Sequence, residues 1–362
     1  MNRHIARKPH AATVVNSHGR WGTHEGPTSR EVKFSVLPFP QRPMLSRSVG
    51  TLPDETDLPG GSAYEPKFDG YRALVFVEAG VCRIQSRQGR DITGSFPEIA
   101  AAAIENLPSG VVIDGELVVW GDDVADFTEL HLRLQQGGGQ ASASHPASFI
   151  AFDVLAGAGM DMRPSPFRVR RQALTILLDD APAPLHVVPQ TRDVDEALKW
   201  MDNYAEAHVG VEGVVAKGLA TPYASGERGW ARMRIRESLE CVVGAITGTM
   251  QSPERLVVGL PDPEGVLQVV GCTTEMTLPH RRRLASALAV SGATHPWPTT
   301  MSTDDIPGWP GPGTLLTLVE PAAVVEIAGL PTTTNSWLEP RELIRSRPEL
   351  LASDVDSEQL IV

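Results

Sequence analysis

The sequence predicts an α+β fold followed by a small second domain built as a β-barrel. Three observations predict it. Strand-like and helix-like runs are mixed along residues 64–235 without strict βαβ alternation. No GxGxxG or Walker-type loop accompanies them, so a doubly wound nucleotide-binding sheet is not indicated. After residue 237 the texture shifts to roughly five short strands and one helix in about 110 residues, which suits a barrel of the OB type.

The elements follow in order. Residues 1–40 mix His, Arg, Ser, Gly and Pro with no sustained period and read as a basic, disordered tail. Residues 72–77 are apolar and β-prone, Gly80 marks a turn, and 81–86 form a second strand, which together make a hairpin. Lys67 falls just before this first strand, with Asp69-Gly70 as a turn pair. Residues 96–106 are Ala-rich and helical, and 111–120 read as a strand interrupted by Asp114, Gly115 and Glu116. A short helix at 127–134 leads into a Gly-, Gln- and Ser-rich loop at 135–146. Residues 149–155 suit a buried strand, 168–178 and 194–208 suit helices, and 211–217 and 230–235 suit strands. This first domain spans 41–237. In the second, 238–350, a meander at 241–246, 255–260 and 266–271 precedes a helix at 279–290 and strands at 315–318 and 323–327. Residues 351–362 read as a tail.

Bulk properties exclude some classes. Of 362 residues 41% are hydrophobic, enough for ordinary cores, and no run approaches the roughly 20 apolar residues of a membrane span. The start lacks the apolar run of a secretory signal, so the expectation is a cytoplasmic protein with no membrane partner. Cys82, Cys241 and Cys272 are far apart, which suggests neither zinc nor a disulfide framework. The net charge of -12 is uneven: eight basic and two acidic residues lie in 1–50, 17 and 27 in 51–237, and seven and 15 in 238–362. Backbone binding to nucleic acid needs a local basic face rather than a basic total, and such binding here is expected to be strongly salt-dependent. Lysine is absent after Lys217, so cationic contacts from the second domain must come from arginines.

Chemistry concentrates first at Glu65-Pro-Lys67-Phe-Asp69-Gly70-Tyr-Arg72. A turn at Asp69-Gly70 can aim an amine and a guanidinium into one pocket. Lysine there can act as a nucleophile, and the planar fork of Arg72 suits a phosphate or carboxylate. The pattern Lys67-x-Asp69-Gly70-x-Arg72 resembles motif I of the covalent nucleotidyltransferases, the family of DNA ligases, RNA ligases and mRNA-capping enzymes. An ordered series follows it. Ser86-Arg87-Gln-Gly89-Arg-Asp91 resembles the ligase segment after motif I, Asp114-Gly115-Glu116-Leu117 motif III, and Phe149-Ile-Ala-Phe152-Asp153 motif IIIa. Val211-Glu212-Gly213-Val214-Val215-Ala-Lys217 resembles motif IV, and Arg228, Trp230, Arg232 and Arg234 fall where motif V belongs. The resemblance covers residues 42–350 and points to the small bacterial ATP-dependent DNA ligases linked to end-joining and excision repair.

The resemblance implies an adenylation (nucleotidyltransferase) domain, an OB-fold domain and a DNA ligase that carries AMP on Lys67. ATP is the implied nucleotide, with Mg²⁺ as the default ion and Mn²⁺ able to replace it. Glu116 and Glu212 are the implied metal-facing carboxylates. Phe152 would stack on adenine, and Glu65 would lie near its exocyclic amine. Arg72, Arg87, Glu116, Lys217, Arg228, Arg232 and Arg234 complete the implied ATP site, supported by Asp69, Gly70 and Asp114. Implied partners are nicked or broken duplex DNA and end-joining or excision-repair proteins, with a monomer as the default and a hinge at 236–239. Two departures stand out: Arg232 and Arg234 replace the two lysines of motif V, and Glu339 stands where a basic residue is expected near the end, although Arg345 and Arg347 remain. Two alternatives stay open, an RNA ligase or GTP-using capping enzyme, and a ligase-like DNA-end binding module that does not catalyse.

Overall fold

A computed structural model describes residues 36–120, 127–136, 145–207, 210–235, 238–292, 294–311, 316–330 and 336–355. Its first ten strands are β1 Leu45–Ser48, β2 Ser62–Phe68, β3 Tyr71–Glu78, β4 Val81–Ser86, β5 Val111–Val119, β6 Ala147–Gly157, β7 Met160–Asp161, β8 Leu185–Val187, β9 Val211–Gly218 and β10 Arg228–Arg234. Six more follow: β11 Ser238–Thr249, β12 Ser252–Pro261, β13 Leu267–Cys272, β14 Thr317–Leu318, β15 Val324–Ala328 and β16 Leu343–Ser346. The α-helices are α1 Pro97–Asn106, α2 Phe127–Gln136, α3 Phe167–Leu178, α4 Val194–Ala207 and α5 Leu278–Ala285.

Period-two alternation explains how the first two sheets are covered. In β3, Ala73, Val75 and Val77 join a core with Ile99 and Ala103 of α1 and Leu174 of α3. The intervening Leu74 and Phe76 join a different core, shared with Tyr223 and Trp230. The β3–β4 turn is Ala79-Gly80, with φ of 50° and 77°, the pair of left-handed residues that a two-residue hairpin requires. The sheet runs β4-β3-β5-β6-β7, with β8 also on β6. The other sheet runs β1-β10-β9-β2, and α4 covers one face of it through Ala197 and Met201 against Tyr64, Val214 and Ala216. The core shared by Leu74, Phe76 and Trp230 therefore lies between the two sheets, and the site opens beside it.

The last six strands form one sheet, β13-β12-β11-β15-β16, with β14 also on β11. Its edges meet at an isolated bridge, where Thr274 N donates to Arg341 O at 2.8 Å and Arg341 N to Cys272 O at 3.0 Å. A single core that includes Trp297 and Trp337 fills it.

Several expectations are corrected. Lys67 lies within β2 rather than ahead of the first strand, because Tyr64 is buried against α4 and draws residues 62–68 into the sheet. Asp114-Gly115-Glu116 does not interrupt β5; the irregularity appears in the pairing with β6. Helix α5 stops at Ala285 instead of continuing to 290, because Val290 bridges Val319 and Ala289 O accepts from Glu320 N. The expected N-terminal tail ends earlier than 40: Leu37 is buried, and Phe39 meets Phe76 edge-on at 5.3 Å. The expected tail at 351–362 begins as structure, since Val355 is buried in the last core. The rest of the N-terminal tail, 1–35, and positions 236 and 237 of the expected hinge lie outside the described residues, as do 137–144 of the expected loop.

Arg170 on α3 and Asp153 on β6 are both fully buried and paired twice, Nε to Oδ1 at 2.8 Å and Nη2 to Oδ2 at 3.0 Å. Removing one partner strands a buried charge. Arg170→Met is expected to lower the unfolding free energy by about 3–5 kcal/mol in urea titration. A loss below about 1 kcal/mol contradicts this role.

Candidate active site

Two β-bulges set the side chains of the site. β2 pairs with β9 as Lys67 to Gly213 and Phe68 to Val211, so Glu212 is the unpaired extra residue. Simple alternation would put Glu212 on the same face as Val214 and Ala216, against α4. The bulge turns it to the other face, where Lys67 Nζ donates to Glu212 Oε1. Likewise β5 pairs with β6 as Asp114 to Asp153 and Gly115 to Ala151, so Phe152 is the extra residue there. The strands close tightly at these points. A Cβ on Gly213 would stand 2.1 Å from Met233 O, and one on Gly70 would stand 2.3 Å from Leu117 O and 2.8 Å from Glu116 Cγ.

A cleft with about 960 Å³ of empty space, partly open to solvent, lies between the two sheets. It is lined by Glu65, Lys67, Gly70, Arg72, Arg87, Glu116, Phe152, Lys217, Arg228 and Arg232. The structure thus gathers most of the expected residues around one space. Glu240, Arg347, Glu349 and Leu350 of the C-terminal half also line it.

The inner end of the cleft carries Glu65 and Lys217, each 2% exposed, with Lys217 Nζ 2.6 Å from Glu65 Oε2. Lys217 also donates to Phe152 O at 3.0 Å and sits 4.3 Å from the Trp230 ring centroid and 4.7 Å from that of Phe152. Burial lowers its ammonium's pKa, and Glu65 opposes that shift. Arg72 does not present a free fork. Its Nε and Nη2 each donate to Asp114 at 2.6 Å, Nη2 also donates to Met44 O, and its Cζ lies 4.7 Å from the Phe152 ring centroid. Tyr223 Oη donates to Asp114 Oδ2 at 2.6 Å, so Asp114 is itself fixed where it holds Arg72 beside Phe152. Of the two partners that its planar fork suits, a phosphate or a carboxylate, the structure pairs Arg72 with the carboxylate of Asp114.

At the mouth, carboxylates and arginines alternate. Asp69 Oδ2 accepts from Arg345 Nη1 at 2.6 Å, and Glu212 Oε2 accepts from Arg345 Nη2 at 3.3 Å. Burial and the neighbouring Glu212 push the Asp69 carboxyl up to about 6. Burial alone would raise Glu212, but Lys67 and three arginines outweigh it and hold that carboxyl well below the usual range. Arg234 and Arg232 donate to the two oxygens of Glu240 at 2.5 and 3.1 Å, and Arg347 reaches Glu240 at 3.1 Å. Glu240 is held well down by these cations, although burial opposes them. Arg87 meets Asp354 at 3.3 Å, and Arg228 donates to Ser46 O and Asp354 O.

Two observations bear on what fits. The Nε donors of Arg87 and Arg234 are buried without a hydrogen-bond acceptor among the described residues, as donors awaiting an anion would be. The Glu116 side chain has no hydrogen-bond partner among the described residues, and burial pushes its carboxyl up to about 8. A hard divalent cation beside Glu116 would restore the ionised form. Mg²⁺ characteristically takes one or two carboxylates and completes its shell with phosphate oxygens and waters, so the donor set fits.

Sequence reasoning left out Glu240, Glu326 and Glu349, and it kept Arg345 and Arg347 only as the basic residues remaining near the end, without their acidic partners. Arg347 also contacts Glu326 at 3.2 Å and pairs with Glu349. The available signal was acid inside apolar strands, Glu240 in β11 and Glu326 in β15, since a buried carboxylate requires a cationic partner.

The match to known proteins is consistent with this geometry. The family described as ATP dependent DNA ligase domain matches residues 43–234. DNA ligase C2 of Mycolicibacterium smegmatis is 36% identical over 271 residues, 72% of this chain and 74% of that protein. DNA ligase C of Mycobacterium tuberculosis is 33% identical over 279 residues, 74% of this chain and 75% of that protein. Among solved structures, mycobacterial DNA ligase D complexed with ATP and MES aligns with a TM-score of 0.54 at 27% identity, covering 87% of this chain and 98% of that one.

Glu240 pairs with three guanidiniums in a buried setting. Glu240→Gln is expected to reduce stability by about 3 kcal/mol. Combined with Arg347→Met, the loss is expected to fall short of the sum of the single losses by at least about 1 kcal/mol. Strictly additive losses in a denaturation cycle contradict the network.

Proposed function

This chain belongs to the ATP-dependent DNA ligase family, and on that premise we propose that it seals nicks in duplex DNA through AMP carried on Lys67. The observation that carries the reading is the Lys67 amine held by Glu212 in a cleft lined by Arg87, whose buried Nε has no acceptor among the described residues, and by an aromatic wall. Residues 41–237 serve as the adenylation domain and 238–350 as an OB-fold domain, a reading supported by the separate sheets and by the bridge that joins the last sheet's edges.

In the first step the Lys67 amine attacks the α-phosphorus of ATP. An N–P bond forms, the bond to pyrophosphate breaks, and the amine's proton passes to solvent or the departing pyrophosphate. The barrier is mainly alignment and charge repulsion, which positioned cations offset. Glu212 orients the amine by accepting its hydrogen bond. Arg232, Arg234 and Arg87 stand by for phosphate oxygens, and Arg228 for phosphate or sugar. Phe152 stacks on adenine, with Arg72 and Asp114 fixing it from behind. Glu65 accepts from the exocyclic amine. Glu116 and Glu212 would hold Mg²⁺, which would supply neutralisation of phosphate charge.

In the second step a 5′-phosphate oxygen at the nick attacks the lysyl-AMP phosphorus, and the N–P bond breaks. In the third, the 3′-hydroxyl attacks the activated 5′-phosphate, closing the strand and releasing AMP. The C-terminal half holds duplex DNA through backbone contacts, so sequence preference is slight. The expected partner is nicked or broken duplex DNA, in end-joining or excision repair. No helix among the described residues is long and apolar enough to cross a membrane.

Labelled ATP or GTP, followed by nicked DNA or RNA, tests the reading. Label from ATP is expected on the protein in Mg²⁺ or Mn²⁺ and is chased by nicked DNA. Lys67→Arg should reduce labelling by at least about a thousandfold with the fold intact, because arginine keeps the charge and cannot attack. Labelling from GTP, or a chase only by RNA, indicates a capping enzyme or RNA ligase instead. No label under either metal, with DNA still bound, indicates a non-catalytic DNA-end binder.

A further inference from the structure

The environment of Glu65 extends beyond the cleft. Oε2 takes Lys217 at 2.6 Å, and Oε1 takes Gln190 Nε2 at 2.9 Å and Arg171 Nη1 at 3.2 Å. Three donors thus converge from three parts of the chain: β9, the segment after β8, and α3. Arg171 does not line the cleft. Its other nitrogen, Nη2, donates to Val188 O at 2.6 Å, so one guanidinium ties the 188–190 segment to the carboxylate of β2. The neighbouring Arg170 is committed to Asp153, which leaves the two arginines with separate tasks.

We infer that Arg171 is the positioning residue through which Glu65 distinguishes adenine from guanine. The inference rests on the nucleotide reading above. A carboxylate offers about four lone-pair sites, and these three contacts occupy three of them. The fourth can accept one more N–H. Adenine presents an amino donor at position 6, and guanine presents a carbonyl oxygen there. An acceptor facing a carbonyl is repelled, so a rigid Glu65 admits adenine and rejects guanine. The rejection holds only while the carboxylate cannot swing aside. Lys217 fixes Oε2 from within the cleft, and Arg171 with Gln190 fixes Oε1 from behind. Without the Arg171 fork, Glu65 can rotate away from a guanine carbonyl, and the 188–190 segment loses its tie.

The test uses the full chain and follows transfer of label from ATP and from GTP to Lys67, with kcat and KM for each. Wild-type protein is expected to favour ATP strongly. Arg171→Met is expected to lower the ATP-over-GTP ratio of kcat/KM by at least tenfold, through a lowered KM for GTP together with a raised KM for ATP, and Arg171→Lys to restore most of it. A purely structural role would depress both nucleotides together and leave the ratio intact, and an unchanged ratio in Arg171→Met overturns the inference. If Arg171→Met fails to fold by circular dichroism, Gln190→Leu removes a donor to the same oxygen. The same directional change then supports the inference, and an unchanged ratio overturns it. A wild-type protein labelled by neither nucleotide overturns the parent reading and this inference with it, a result distinct from labelling whose selectivity ignores Arg171.

Discussion

The arrangement depends on one extra residue in a strand. Because Glu212 is skipped in the pairing of β2 with β9, its carboxylate leaves the face packed by α4 and meets the Lys67 amine. A nucleophilic lysine must be aimed, since its long side chain otherwise samples many rotamers. The bulge supplies a fixed acceptor at the right depth, and Gly213 beside it lets β9 close against Met233 O, where no side chain would fit. Phe152 is placed by the same device in the opposite sheet. Two local irregularities thus convert ordinary alternating strands into facing walls of a cleft.

Charge then has to be balanced in a buried setting. Lys67, Arg232, Arg234, Arg345 and Arg347 crowd one mouth, and Asp69, Glu212, Glu240 and Glu326 answer them. Arg345 and Arg347 belong to the last strand and the residue after it, so the C-terminal sheet neutralises the charge of the N-terminal site. The exchange of lysine for arginine in motif V fits this arrangement. Arg232 and Arg234 bind the two oxygens of one carboxylate, Glu240, and a guanidinium suits such a shared contact better than a compact ammonium does. The buried Nε of Arg234 still has no acceptor among the described residues.

Much of the N-terminal half was legible in the sequence because period-two and helical patterns mark its elements, and Glu212 and Lys217 sit on the strand expected of them. Strand β2 was harder to read, since Glu65, Pro66 and Lys67 mask the pattern, and Ala63 and Tyr64 pack into different cores. The bulges were invisible, because register is decided by pairing between distant segments. Arg72 was read as suiting a phosphate or a carboxylate; which carboxylate it meets was not legible, because its buried partner Asp114 lies 42 residues away. The contributions of Glu240, Arg345 and Arg347 were similarly hidden in sequence distance. Residues from 351 onward looked like a tail, yet Val355 is buried and Asp354 meets Arg87.

Peptide mapping of the purified protein after incubation with ATP and Mg²⁺ probes the central claim most directly. The account predicts a single adenylyl group, acid-labile as a phosphoramidate is, on the peptide that contains Lys67. An adenylyl group on Lys217 or elsewhere, with Lys67 unmodified, would contradict it.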